Sequence, residues 1–389
     1  MNGGATMQRA ENGCYFRKLN IITIVSCVLI LMLSTVNVSF AADSFAQSDL
    51  EGDWKQHAVC SSADDWEGWQ RVDVAVDGDG TATPSNPENS DEISGGILTA
   101  ETISIDSDGI ITMPSNASFE GILGPDNDFV VFTSGYPDVN SPGLGIFVKR
   151  TDTEFSDADF EGKWIGHFIS SSSSGGEGWQ RIEMTAESNG EFTLGYMENS
   201  DEETGTIGET ATFSITSEGI VTLSEEESLE GIMSPDKQLI LLTDGYSEGG
   251  DPQLAVLVKQ EGTFTAADLE GDWKIHAVYS SDEVEDWEGW ERGDVAIDDA
   301  GNLTFEGTDS DQVNQEGDAT LSIDADGVVT CEDNSFKGIM SPDKTILVFT
   351  AGGSGGDNPR LTVAVKRVET EDGGSDDSGG SCFIDSLCR

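Results

Sequence analysis

Histidine is the side chain best suited to ligate a metal or move a proton near neutral pH. The 389-residue chain has three of them, His57, His167 and His276, each three residues after a tryptophan (Trp54, Trp164 and Trp273). One imidazole at each of three matched positions, among many carboxylates, could form a metal site if the three copies converged. No second histidine lies near any of them, so the simpler expectation is an imidazole hydrogen-bonded within a strand end, and no metal. The pairs Ser61-Ser62, Ser171-Ser172 and Ser280-Ser281 follow the histidines too closely along an extended chain for a nucleophile and base to face each other. No carboxylate pair stands out among 74 acidic residues. There is no phosphate loop, zinc-hydrolase helix or nucleophile elbow. The sequence therefore reads as non-catalytic and without a cofactor.

A second phrase is also written three times: Asp65-Trp-Glu-Gly-Trp-Gln-Arg71, a partial copy at 175–181, and Asp286-Trp-Glu-Gly-Trp-Glu-Arg292. Trp69, Trp179 and Trp290 occur in every copy and read as packing anchors. Trp66 and Trp287 correspond to Gly176, so folding does not require them. Placed in loops, they are the residues expected to contact a sugar ring or a partner surface. Arg71, Arg181 and Arg292 are scarce cations at one repeated position, expected to pair with Asp73, Glu183 and Asp294 on the same strand face. The D-x-D-G runs at 77–80, 106–109 and 324–327 lack the closing Glu of an EF-hand loop. A hairpin turn needing a left-handed glycine explains them, leaving only weak surface calcium binding from charge density.

The net charge is −55, from 74 acidic and 19 basic residues. Nucleic acid and anionic lipid both need a basic patch that this chain can hardly assemble, which excludes them as partners. Residues 1–42 carry early cations (Arg9, Arg17, Lys18), an apolar run from Ile21 to Val38 and small residues ending at Ala42. This is the pattern of a cleaved secretory signal. No second apolar run of that length follows, so the mature chain is expected to lack a transmembrane helix and to be exported to the cell surface, the extracellular space or the periplasm. Four cysteines remain after the signal: Cys60, Cys331, Cys382 and Cys388. Cys60 and Cys331 fall at positions the other copies fill differently, and both two buried thiols and one long-range bridge fit them.

These landmarks recur with a period of about 110 residues. Each copy opens alike, from Phe45 to Trp54, Phe155 to Trp164 and Phe264 to Trp273, and closes on a strand ending at Lys149, Lys259 or Lys366. Val72, Val74 and Val76 alternate with polar residues at period two, and the other copies repeat the pattern. The chain is thus all-β, with three tandem antiparallel meanders at 43–150, 151–260 and 261–368. Small eight-stranded barrels arranged as beads on a string are the expected architecture; a six-bladed propeller is the alternative.

The openings, with Gly52-Asp-Trp54, Gly162-Lys-Trp164 and Gly271-Asp-Trp273, resemble the Gly-x-Trp entry of lipocalins and related calycins. That resemblance implies a short helical turn leading into a first strand whose tryptophan closes one barrel end. It also implies, as an alternative function, carriage of small lipophiles inside the barrels. The copies are shorter than typical lipocalins and lack a C-terminal helix.

Residues 369–389 form an acidic Gly/Ser spacer ending in Cys382-Phe-Ile and Cys388-Arg389. The tail resembles the CFI-box ends of some exported bacterial proteins, which implies attachment or processing at Cys382; a Cys382–Cys388 disulfide loop is the other reading. The leading expectation is a non-catalytic surface or secreted binding array whose partner, a glycan or another extracellular surface, meets Trp66 and Trp287.

Overall fold

The computed structural model describes residues 44–368 apart from 61–67, 91–98, 137–138, 172–177, 202, 225, 246–252, 281–288, 333–335 and 354–356. Residues 1–42, where a secretory signal is expected, and Trp66, Trp287, Cys382 and Cys388 lie outside the described residues. Among the described residues no helix is long and apolar enough to cross a membrane.

Each copy folds as an antiparallel meander. The first comprises β1 (Gly52–Cys60), β2 (Gly68–Val76), β3 (Thr81–Asn89), β4 (Glu101–Thr102), β5 (Ser104–Ile105), β6 (Ile110–Met113), β7 (Asn116–Leu123), β8 (Phe129–Tyr136) and β9 (Val139–Arg150). Its sheet runs β4-β3-β2-β1-β9-β8-β7-β6-β5 and is nearly closed: β4 and β5 flank Ile103, whose N–H donates to Gly80 O at 2.9 Å. The second copy comprises β10 (Gly162–Ser170), β11 (Gly178–Ala186), β12 (Glu191–Asn199), β13 (Thr204–Thr206), β14 (Thr210–Ile215), β15 (Ile220–Leu223), β16 (Glu226–Met233), β17 (Leu239–Asp244) and β18 (Gln253–Lys259). Pairing of β11 with β12 closes an eight-stranded barrel and leaves β13 on its outside edge. The third, β19 (Gly271–Tyr279), β20 (Gly289–Ile297), β21 (Asn302–Asp309), β22 (Asn314–Ile323), β23 (Val328–Cys331), β24 (Phe336–Met340), β25 (Ile346–Gly353) and β26 (Asp357–Lys366), is a closed eight-stranded barrel. The fold is therefore three tandem barrels: among the described residues each copy forms a single closed or nearly closed sheet, where a six-bladed propeller would split it into two four-stranded blades.

One repeated device seals the entry end of each barrel. A 3₁₀ turn (Gln47–Leu50, Asp157–Phe160 or Ala266–Asp268) precedes the first strand. The entry tryptophan then donates its indole N–H to the turn, Trp54 to Leu50 O, Trp164 to Phe160 O and Trp273 to Leu269 O, at 2.7–2.9 Å. The last-strand lysine covers the same ring at 5.2–5.6 Å (Lys149, Lys259, Lys366) and donates to a carbonyl of the turn. Each buried indole is thereby packed, hydrogen-bonded and faced by a cation.

Beads on a string is the expectation that fails. The described residues from 44 to 368 form one compact unit, and one apolar cluster draws on all three barrels. Val131, Leu144 and Ile146 of the first barrel meet Leu241, Leu254 and Val256 of the second and Val348, Leu361 and Val363 of the third, none more than 1 % exposed. The reason lies in β8, β9 and their counterparts, which carry apolar side chains on both faces. One face fills the barrel and the other must be covered from outside. With 22 side chains in this shared cluster and roughly 1–2 kcal/mol per buried aliphatic group, its burial outweighs any single polar contact between barrels.

Candidate functional site

The histidines, the arginines and the repeated tryptophans all lie where two barrels meet. Alternation along β1 turns Trp54 into the barrel and sends Lys55, His57 and Val59 outward. His57 Nδ1 hydrogen-bonds Thr243 Oγ1 of the second barrel at 2.9 Å; His167 Nδ1 meets Thr350 Oγ1 of the third at 3.1 Å; His276 Nδ1 meets Thr133 Oγ1 of the first at 3.1 Å. The same donor surface meets the same acceptor surface three times, first barrel onto second, second onto third, third onto first. The barrels therefore form a closed ring with threefold pseudosymmetry.

All three imidazoles are fully buried, and burial first, then neighbouring cations, depresses their pKa well below the usual value; the cations are Lys55 and Arg71 for His57, Arg181 and Lys337 for His167, and Lys274 and Arg292 for His276. They are neutral at pH 7. Among the described residues no group of three His, Cys, Asp or Glu side chains is placed to hold a metal ion.

The arginines depart from the expected same-strand pairing. Arg71 donates to Ser228 O of the second barrel (2.9 Å) and pairs with Glu88 and Glu230; Arg292 donates to Ser118 O of the first (2.7 Å) and pairs with Glu120; Arg181 donates to Lys337 O of the third (3.0 Å) and pairs with Glu198. Asp73 and Asp294 pair instead with Lys55 and Lys274. Each guanidinium also lies over the tryptophan two residues before it, at 4.0–5.1 Å, and Trp179 donates its indole N–H to Gly352 O of the next barrel. Trp69, Trp179 and Trp290 thus pack at contacts between barrels.

The D-x-D-G carboxylates are engaged by their own turns. Asp106 accepts from the N–H groups of Asp108 and Ile110, and Asp324 from those of Asp326 and Val328, all at 2.9 Å, with Gly109 and Gly327 at φ of 85° and 87°. Cys60 is a free thiol, and burial pushes it up to about 12.

Two clusters have no counterpart in the sequence reading. Inside the third barrel the Tyr279 hydroxyl donates to Glu291 (2.5 Å) and accepts from Arg360 (3.0 Å), and burial raises the Glu291 carboxyl pKa. These groups border a void of about 40 Å³ lined by Trp273, Phe336 and Phe349, whereas pockets for drug-sized ligands run to roughly 300–1,000 Å³. The signal was present, since Glu291 and Arg360 stand where the other copies have Gln70 and Gln180, and Gly143 and Gln253: two opposite charges acquired together. Second, the Pro-Asp turns bring Asp126, Asp128, Asp236 and Asp343 into one electrostatic cluster. Burial, then its acidic neighbours, raises Asp128 to about 6.

No family model and no curated protein matches this chain. Among solved structures it is similar to a variant of transferrin-binding protein B from Haemophilus parasuis Hp5 (11 % identity, TM-score 0.26, covering 81 % of this chain and 75 % of the other). It is also similar to isotype 1 transferrin-binding protein B from serogroup B Neisseria meningitidis (11 %, TM-score 0.26, 85 % and 77 %). A third similar structure is a DUF3598-family protein of unknown function from Nostoc punctiforme (12 %, TM-score 0.19, 56 % and 100 %). At such scores the likeness carries no argument, and the barrel assignment rests on the strand pairing above.

Proposed function

We propose that the protein is a non-catalytic, exported surface or secreted module that binds an extracellular partner through one face of its three-barrel ring. The cyclic set of histidine–threonine contacts carries this reading. In a closed threefold ring equivalent strand ends lie at one height along the axis, so Cys60, Ser170 and Tyr279, from which the next connections start, lie on a common face. Those connections contain Trp66 and Trp287, and in the second barrel a Ser/Gly run. Two weak aromatic contacts carried by one ring would bind with the gain of a bivalent ligand. The histidines and arginines, used between the barrels, are not available for catalysis. A lipophile carrier is the weaker reading, because the void of about 40 Å³ in the third barrel is too small for a lipophile. The test is replacement of both Trp66 and Trp287 by Ala, with binding read on a glycan array and on extracellular matrix proteins. A loss of tenfold or more from the double variant, with smaller losses from each single, supports the reading, and unchanged binding to every ligand of the parent removes it.

A further inference from the structure

Three contacts of one geometry carry two ion chemistries. Where the first barrel meets the second, Lys55 and Arg71 face Glu230 (3.0 and 3.9 Å). Where the third meets the first, Lys274 and Arg292 face Glu120 (3.1 and 3.6 Å). Between the second and third barrels the arrangement is inverted: Ile165 stands where the others have lysine, and Lys337 stands where the others have glutamate. The lysine has crossed to the far side, where its Nζ meets Glu198 at 3.0 Å while Glu198 also takes Arg181.

We infer that this crossed lysine is a recognition code that assigns each barrel its neighbour and fixes the cyclic order first, second, third. The apolar cluster cannot do so, because each barrel contributes similar Val, Ile and Leu side chains, and the histidine–threonine pairs are alike in all three contacts. The reverse ring would set Lys55 and Arg71 of the first barrel, with Glu88, against Lys337 of the third, a third cation at a place now held by Glu230. It would set Ile165, Arg181 and Glu198 of the second against Glu120 of the first, leaving Glu120 with an arginine but without its lysine and beside a like charge. Two of the three contacts would then exchange a cation–carboxylate pair within 4 Å for a like-charge approach, three cations around Glu88 in the one and two carboxylates around Arg181 in the other. Only the third barrel against the second, Lys274 and Arg292 facing Glu230, would remain favourable.

The test uses the full chain and two readouts. In urea unfolding, Lys337→Glu and Ile165→Lys are each expected to lower the folding constant about tenfold, whereas Ile165→Lys/Lys337→Glu, which gives this contact the charges of the first one, returns to within about threefold of the parent. Singles whose factors simply multiply in the double overturn the pairing. The order is read by a cross-link: Arg367 reaches Asp108 across the third-to-first contact at 3.1 Å, so an Arg367→Cys/Asp108→Cys pair reports correct closure. With Cys382 and Cys388 replaced by Ser, the parent is expected to refold to near-complete cross-linking and the Ile165→Lys/Lys337→Glu background to at most half of it. Equal yields in both backgrounds overturn the code and assign the order to chain connectivity.

Discussion

The three histidines titrate against the fold. Unfolded, each has a pKa near 6.5; folded, each is held well below that by burial and adjacent cations. The unfolded chain therefore binds more protons below pH 6.5. The histidine contribution to stability is complete above that pH and is lost as pH falls toward the folded values. Asp128 acts in the opposite sense: raised to about 6, it is uncharged in the folded chain while still ionised in the unfolded one, so its penalty is full above pH 6 and fades toward pH 4. The second and third barrels place Gln238 and Thr345 at this position. Asp128→Gln should accordingly stabilise by about 1 kcal/mol at pH 7 and by nothing near pH 4, as read by urea titration at both. Thr243→Val, which removes the hydrogen-bond partner of a fully buried imidazole, should cost about 1–3 kcal/mol in the same assay.

At the scale of the element, each barrel depends on its hairpin turns and on the tryptophan lock at the entry. Gly190 sits at φ 83°, and a Cβ there would come within 2.2 Å of Phe213 O. Gly190→Ala therefore forces both a left-handed alanine and a displaced backbone, and a loss of about 2 kcal/mol or more in chemical denaturation is expected. The lock was legible as a Gly-x-Trp opening repeated three times. Its partners, the last-strand lysines about 100 residues later, were legible only as the end of a repeated strand. The arginines pair otherwise because a same-face carboxylate two residues away looks sufficient in sequence, whereas the folded chain offers a carbonyl from another barrel and a carboxylate on an adjacent strand or on that other barrel.

For the whole molecule, the shared cluster decides the cooperativity. Beads joined by linkers would unfold in separate steps, whereas barrels that bury Val131, Leu241 and Val348 against one another lose part of their own core when a neighbour opens. Calorimetry of the full chain should give one transition whose van't Hoff and calorimetric enthalpies agree; three resolved transitions would refute the shared core. Glu120→Lys, placed at the one contact that no peptide joint reinforces, should lower the midpoint of that single transition, with the loss read in the same scan.

The sequence by itself determined the all-β class, the triplication, the strand meander, the left-handed glycine turns and the strongly acidic balance. These follow from local periodicity and composition, which each copy carries whole. It also held a clue to the packing: the runs Phe129–Phe132, Leu239–Leu242 and Ile346–Phe349 do not alternate, and a strand apolar on both faces needs cover on both. Only the tertiary structure decided what covers them. The partner of His57 is a threonine 186 residues away and the partner of Arg292 a carbonyl 174 residues away, and neither pairing leaves a local pattern, because contact between barrels is set by the shape of closed surfaces and not by spacing along the chain.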